Sequence, residues 1–232
     1  MKILLIAISM ILSLNIQAAF SSNSQNTTPE MKYETISTSD LKAFDKPGGG
    51  IVFVTSDGRY AIKGTVVDTW TKTPLNSLKE IAYSTSHINL DAMGLDIKAL
   101  NVITLGNGPR RITVFVDPLC ALCKELVKQA QKKTNEFTFN LVVVPALGDK
   151  SQLHAKSLFC AEDKSDSLNA YLNQTLKDLK QKKTCDTKNY DLTLLSATLF
   201  NIKAVPWMIA DDGRTKYGAA DLWKWLAIKN GK

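Results

Sequence analysis

The sequence predicts an α/β chain, in which a small α+β region and a linker helix precede an alternation of strands and helices that runs to the C-terminus. Three observations predict it. Ile112 to Val116 is a β-branched and aromatic run that ends at Asp117-Pro118 and leads directly into two cysteines, Cys120 and Cys123, at C-x-x-C spacing. From Ile112 onward the order reads strand, helix, strand, helices, strand, helix, as in a sheet covered by helices. Upstream, Ile51 to Thr55 and Arg59 to Lys63 are β-rich runs joined by Ser56-Asp-Gly58, a hairpin turn.

Lys2 and the apolar run Ile3 to Leu14, followed by small residues up to Ala19, read as a signal peptide over residues 1–19, cleaved after Ala18 or Ala19. About a dozen apolar residues are too few to span a bilayer. Ala19 to Pro29 is Ser, Asn, Gln and Thr-rich and reads as a leader. The C-terminus, Lys229 to Lys232, carries no retention or lipidation motif. An export signal and four cysteines imply oxidising surroundings, in which disulfides persist.

Residues 20–72 form the expected N-terminal domain. Ser37 to Asp40 supply cap residues for a short helix through Leu41 and Phe44, stopped at Lys46-Pro-Gly-Gly-Gly50. The hairpin follows, and Gly64 to Val67 extends it into a meander. So few residues make no self-sufficient core, so the sheet is expected to lean on a second copy of itself. Residues 73–100 form the linker region, with Thr73 as helix cap, Pro74 in the first turn and helix to about Tyr83.

Residues 101–232 form the expected catalytic domain. Asn101 to Leu105 is a strand closed by Gly106-Asn-Gly-Pro109, which lacks the spacing and lysine of a phosphate loop. After the first long strand a helix begins at about Leu119, with Leu122, Leu126 and Ala130 at four-residue spacing. Cys120 therefore stands at a helix N-terminus, where free N–H groups and the helix dipole favour a thiolate, and Cys123 lies one turn on. Phe137 to Val144 is a second strand. Helices are expected over Gln152 to Cys160, Ser167 to Lys180 and Asp191 to Phe200, the last with Leu192, Leu195 and Leu199 as its apolar edge. Ala204 to Ala210 is a strand with Pro206 near its start, and a last helix from about Ala219 to Ala227 presents Trp223 and Leu226 to the core.

A strand entering C-x-x-C at a helix start is the thioredoxin-like signature, and a proline before a later strand stands where such folds face the active disulfide. A zinc site needs a second close ligand pair, whereas Cys160 and Cys185 are far apart in sequence, so no metal is expected. The net charge of +7 comes without a basic stripe interleaved with aromatics, so nucleic acid is not an expected partner. Lys124, Lys128 and Lys132 read as a solvated helix face. Cys160 and Cys185, outside any reactive motif in an exported chain, are expected to form a structural disulfide, the alternative being two buried thiols.

Ile51 to Gly64, Ile112 to Cys123 and Lys156 to Lys164 together resemble the DsbC/DsbG family of periplasmic thiol-disulfide isomerases, over nearly all the chain from about Gly50. The resemblance implies a homodimer, an N-terminal dimerisation sheet, a linker helix and a thioredoxin-like domain with a helical insertion. It implies misfolded or misoxidised exported proteins as substrates, a membrane thiol reductase of the DsbD type as electron donor, and no cofactor. Cys120 and Cys123 would be the redox pair, and Val205 and Pro206 the substrate-facing residues. The chain departs from the family in carrying Ala121-Leu122 between the cysteines, in Val205 where isomerases carry Thr, and in an N-terminal domain that reads as trimmed before Gly48. Val205 is more like the oxidase DsbA, so isomerase, oxidase and reductase readings stay open, as does a chaperone or binding module with a structural disulfide.

Overall fold

The computed structural model describes residues 33–35 and 40–228. The expected signal peptide, its cleavage point, the leader and the C-terminal tail lie outside the described residues.

The N-terminal sheet has four antiparallel strands in the order β1 (Tyr33–Thr35), β2 (Leu41–Asp45), β3 (Ile51–Thr55), β4 (Ala61–Ile62). The expected helix at Leu41 is thus a strand. Its five residues pair in full register with β3, Ala43 opposite Phe53, and both of these side chains are buried. Two strands therefore precede Gly48, and the sheet starts upstream of where the family comparison suggested.

The meander also ends sooner than expected. β5 (Val66–Asp68) pairs with β6 (Thr73–Leu75) in a separate two-stranded sheet, so Thr73-Pro74 is strand and not helix start. Pro74 faces Val67 in this two-stranded ladder, at a sheet edge where its missing N–H is tolerated. The linker helix is α1 (Leu78–Ser86), capped by Ser77: its hydroxyl accepts from the N–H of Glu80 while the Glu80 carboxylate accepts from the N–H of Ser77, a capping box. Ala43, Phe53, Leu75 and Ile81 close a small core between helix and sheets.

The larger sheet has the order β11 (Thr215–Tyr217), β10 (Trp207–Ile209), β8 (Arg110–Val116), β9 (Phe137–Val143), β7 (Val102–Leu105). β8 and β9 are parallel and joined through α2 (Ala121–Ala130), while every other pairing is antiparallel. This is a thioredoxin-like sheet with β7 added at one edge. Ile112 to Val116 are all buried, because the sheet is covered on both faces. Ile112, Val114 and Val116 enter the core shared with α2, α3 (Asp149–Phe159), α4 (Ser167–Leu172) and α6 (Leu222–Ala227). Phe115 and Val142 enter a second core with Ile88, Ile97, Leu100, Phe200 and Trp207.

Two helices differ from expectation. The stretch from Ser167 ends as α4 at Leu172, and Gln174 takes a left-handed backbone before a short 3-10 turn at Leu176–Asp178. In α5 (Lys188–Leu199) the buried residues are Tyr190, Thr193 and Ser196, while Leu195 and Leu199 face solvent.

Candidate active site

The site lies at the carboxyl end of β8, where Asp117 and Pro118 turn the chain into α2. Cys120 is the N-cap of α2, one residue outside the helix, in extended conformation. Its sulfur accepts from the N–H of Cys123 at 3.1 Å, as a Ser or Asp cap would. The two cysteines are joined as a disulfide, with Cys123 fully buried and Cys120 nearly so. Leu126, Val127 and Ala130 form the buried stripe of α2, but Leu122, expected on that face, points to solvent with two thirds of its surface exposed. Lys128 and Lys132 are exposed, and Lys124 is half-buried.

The loop before β10 closes the site from the other side. Val205 and Pro206 are joined by a cis peptide bond, and the carbonyl oxygen of Val205 lies 3.8 Å from the sulfur of Cys120. Chain topology thus brings the C-x-x-C segment and the Val205-Pro206 segment together. Cys160 and Cys185 are elsewhere: they are disulfide-bonded, linking the C-terminal end of α3 to the segment before α5. Around them the main chain pairs Glu162 with Lys180 and Lys182 with Cys160.

A residue read in the sequence only as a break, Asp117, is at the centre of the floor. It has no exposed surface, and its carboxylate accepts from the N–H of Leu119 at 2.7 Å, the hydroxyl of Ser151 at 2.8 Å and the N–H of Leu147 at 2.9 Å. Its main-chain carbonyl accepts from the N–H of Cys120 and the hydroxyl of Tyr171. Burial foremost, and the Asp117 charge after it, push the Tyr171 phenol up, so it stays a donor. Asn101 performs a similar join beside it, donating from its side chain to the carbonyls of Val143 and Ala155. The Asp-Pro pair was visible as a turn, but the partners of Asp117 are distant in sequence and gave no local signal. Among the described residues, no cluster of three or more His, Cys, Asp or Glu is placed to hold a metal.

No protein-family model matches the chain. It is 31% identical to a probable thiol:disulfide interchange protein DsbC of Bordetella avium over 128 residues, 54% of this chain and 43% of that one. It is 27% identical to the thiol:disulfide interchange protein DsbC of Dickeya dadantii over 171 residues, 71% of this chain and 66% of the other. The chain is DsbC-like. It spans from less than half to about two thirds of the length of these curated relatives. Among solved structures, a disulfide interchange protein from Neisseria gonorrhoeae aligns with a TM-score of 0.45 at 23% identity, covering 57% of this chain and 96% of its own. In this DsbC-like chain the C-x-x-C disulfide, the cap geometry of Cys120 and the adjoining Val205-Pro206 turn form one continuous site.

Proposed function

We propose that the chain is a periplasmic thiol-disulfide oxidoreductase that reshuffles wrong disulfides in exported proteins. The observation that carries this reading is Cys120 at the cap of α2 with the N–H of Cys123 aimed at its sulfur. That arrangement stabilises a thiolate, the form that attacks disulfides. The Cys120 thiolate forms a bond to one sulfur of a substrate disulfide and expels the other as a thiolate. A different substrate thiolate then attacks the mixed disulfide, releasing Cys120 with the pairing changed and no net electron transfer. Alternatively Cys123 attacks, so the substrate leaves with two thiols and the protein is oxidised. A membrane thiol reductase of the DsbD type is the donor proposed to return it to the dithiol.

Val205 and Pro206 are proposed to face the substrate, the main chain of Val205 pairing with an extended peptide as an added strand would. Cys160 and Cys185 are proposed as a structural bridge. Homodimerisation is proposed through the N-terminal sheet: β4 is its edge strand, and Tyr60 just before β4 and Ile62 within it are about half exposed, so that edge is open to a partner strand. Export is proposed to remove residues up to Ala18 or Ala19. Refolding of a scrambled, fully oxidised substrate, alongside the protein's reduction potential, tests the function. Recovery of native pairing by the reduced protein is expected. Oxidation of reduced substrates without recovery of scrambled ones would instead support the DsbA-like oxidase reading that Val205 favours.

A further inference from the structure

We infer that Asp117 is a positioning residue for Cys120: its buried carboxylate pins the turn that places Cys120 at the cap of α2, and its negative charge there opposes the thiolate. The inference rests on Cys120 being the nucleophile.

The geometry shows the pinning directly and sets the carboxylate on the N–H of Leu119, the residue before Cys120. Asp117 joins four parts of the fold at one point: the turn before Cys120, through Leu119; the segment after β9, through Leu147; α3, through Ser151; and α4, through Tyr171. The N–H of Cys120 itself is held on the Asp117 carbonyl at 3.2 Å. Leu119, whose N–H the carboxylate takes, is the residue bonded to Cys120. All three carboxylate partners donate, the pattern that an ionised, acceptor-only carboxylate takes. His154 and Tyr171 are within electrostatic reach of Asp117; burial holds the first below and the second above its ordinary value, so both are uncharged near neutral pH. The charge of Asp117 is therefore met by the dipoles of its three donors.

A fixed negative charge beside the cap raises the energy of the thiolate and leaves the uncharged disulfide untouched. It thereby works against the helix dipole and the N–H of Cys123, and makes the protein less oxidising than its cap alone would. Removing the charge while keeping the shape, in Asp117→Asn, should lower the Cys120 thiol pKa. Removing one of the donors that disperse the charge, in Ser151→Ala, should raise it. A purely structural role predicts otherwise, because loosening the turn in either variant would move the thiol upward toward its free value.

The test is site-resolved alkylation of the reduced full-length protein with iodoacetamide across pH, read by mass spectrometry, together with its equilibrium against glutathione. For Asp117→Asn the labelling midpoint of Cys120 should fall by about half a unit. The glutathione equilibrium should move about threefold toward the reduced protein, about 14 mV at 29.6 mV per tenfold. For Ser151→Ala the midpoint should rise by a few tenths of a unit. Opposite shifts sustain the inference and any other pattern overturns it; if Asp117→Asn does not fold, the uncharged and smaller Asp117→Ser takes its place, a fall in its Cys120 midpoint sustaining the inference and the lack of a fall overturning it. The wild type separates the two layers of the argument. Labelling of Cys123 ahead of Cys120 defeats the assignment of the nucleophile, whereas normal wild-type labelling with unsplit variants defeats the role of Asp117 alone.

Discussion

The sulfur of Cys120 stands 3.8 Å from the carbonyl oxygen of Val205, a residue 85 positions away in the chain. The contact sets that sulfur against a main-chain acceptor. A peptide pairing with that main chain would therefore arrive with its own backbone beside the sulfur, which is the approach disulfide exchange needs.

With Cys123 fully buried and Cys120 at the cap, the two should differ sharply in reactivity. Cys120→Ser is expected to abolish exchange, and Cys123→Ala to let mixed disulfides on Cys120 accumulate. Non-reducing gels with a model disulfide substrate check this. Adducts on Cys123 in the Cys120→Ser protein, formed at the wild-type rate, would reverse the assignment.

The Cys160–Cys185 bridge closes a loop across a sequence separation of 25. By the chain-entropy relation, a loop of that size is worth about 3.5 kcal/mol. The double variant Cys160→Ala with Cys185→Ala should unfold at a correspondingly lower urea midpoint. Once folded, it should keep exchange activity, because neither sulfur adjoins Cys120. A folded variant that has lost activity would give the bridge a part in the chemistry.

Arg110 grips Asp211 with two parallel hydrogen bonds, from Nε at 2.7 Å and from the second terminal nitrogen at 2.8 Å. The guanidinium holds the Asp211 carboxyl below its ordinary value. A depressed carboxyl contributes stability above its unfolded value near 3.9 and loses it as pH falls further, toward the folded value. Both side chains are about one-third exposed, so solvent screening keeps the contribution on the order of 1 kcal/mol or less. Asp211→Asn should therefore be slightly less stable than the wild type at pH 7, with the difference closing below about pH 4. Urea titrations at both pH values measure it; a gap that widened in acid would contradict the assignment.

If β4 is the pairing edge, Ile62→Lys should place a charge in the interface and shift the protein to monomer in light scattering at micromolar concentration. Shuffling of scrambled substrates should fall with it, while simple reduction of an exposed disulfide survives. A wild-type protein that is monomeric and still isomerises would refute the dependence.

Strands buried on both faces were the most legible parts of the sequence. Ile112 to Val116 reads as a β-branched and aromatic run and Leu141 to Val144 as a continuous apolar one, because successive side chains enter the cores on the two faces. Short elements were not legible, because pairing decided them. Leu41 follows good cap residues, yet a five-residue ladder with β3 outweighs that local preference. Thr73-Pro74 has the form of a helix start, but Ser77 with Glu80 completes a reciprocal cap that Thr73 does not. Leu195 and Leu199 have helical spacing on the wrong side, the buried side of α5 being marked by Thr193, which accepts from the N–H of Asn101. At the candidate site, the pairing of Cys120 with Cys123 was legible from their spacing and position. Asp117 was not, because its meaning comes from Ser151 and Leu147, some thirty residues on.

The segment after α1 sides with the larger sheet. The N–H of Ile88 donates to the carbonyl of Gly213 at 2.8 Å, and a side chain at Gly213 would meet the Ile88 carbonyl at 2.9 Å, so the two backbones lie flush. Ile88, Ile97 and Leu100 are buried on the same core as Phe115, Phe200 and Trp207. For anyone wishing to excise the half that carries the C-x-x-C disulfide as a portable unit, the cut belongs before His87. A fragment begun at Asn101 would lay a row of aromatic rings bare to water and should aggregate, whereas one begun at His87 carries its own cover with it.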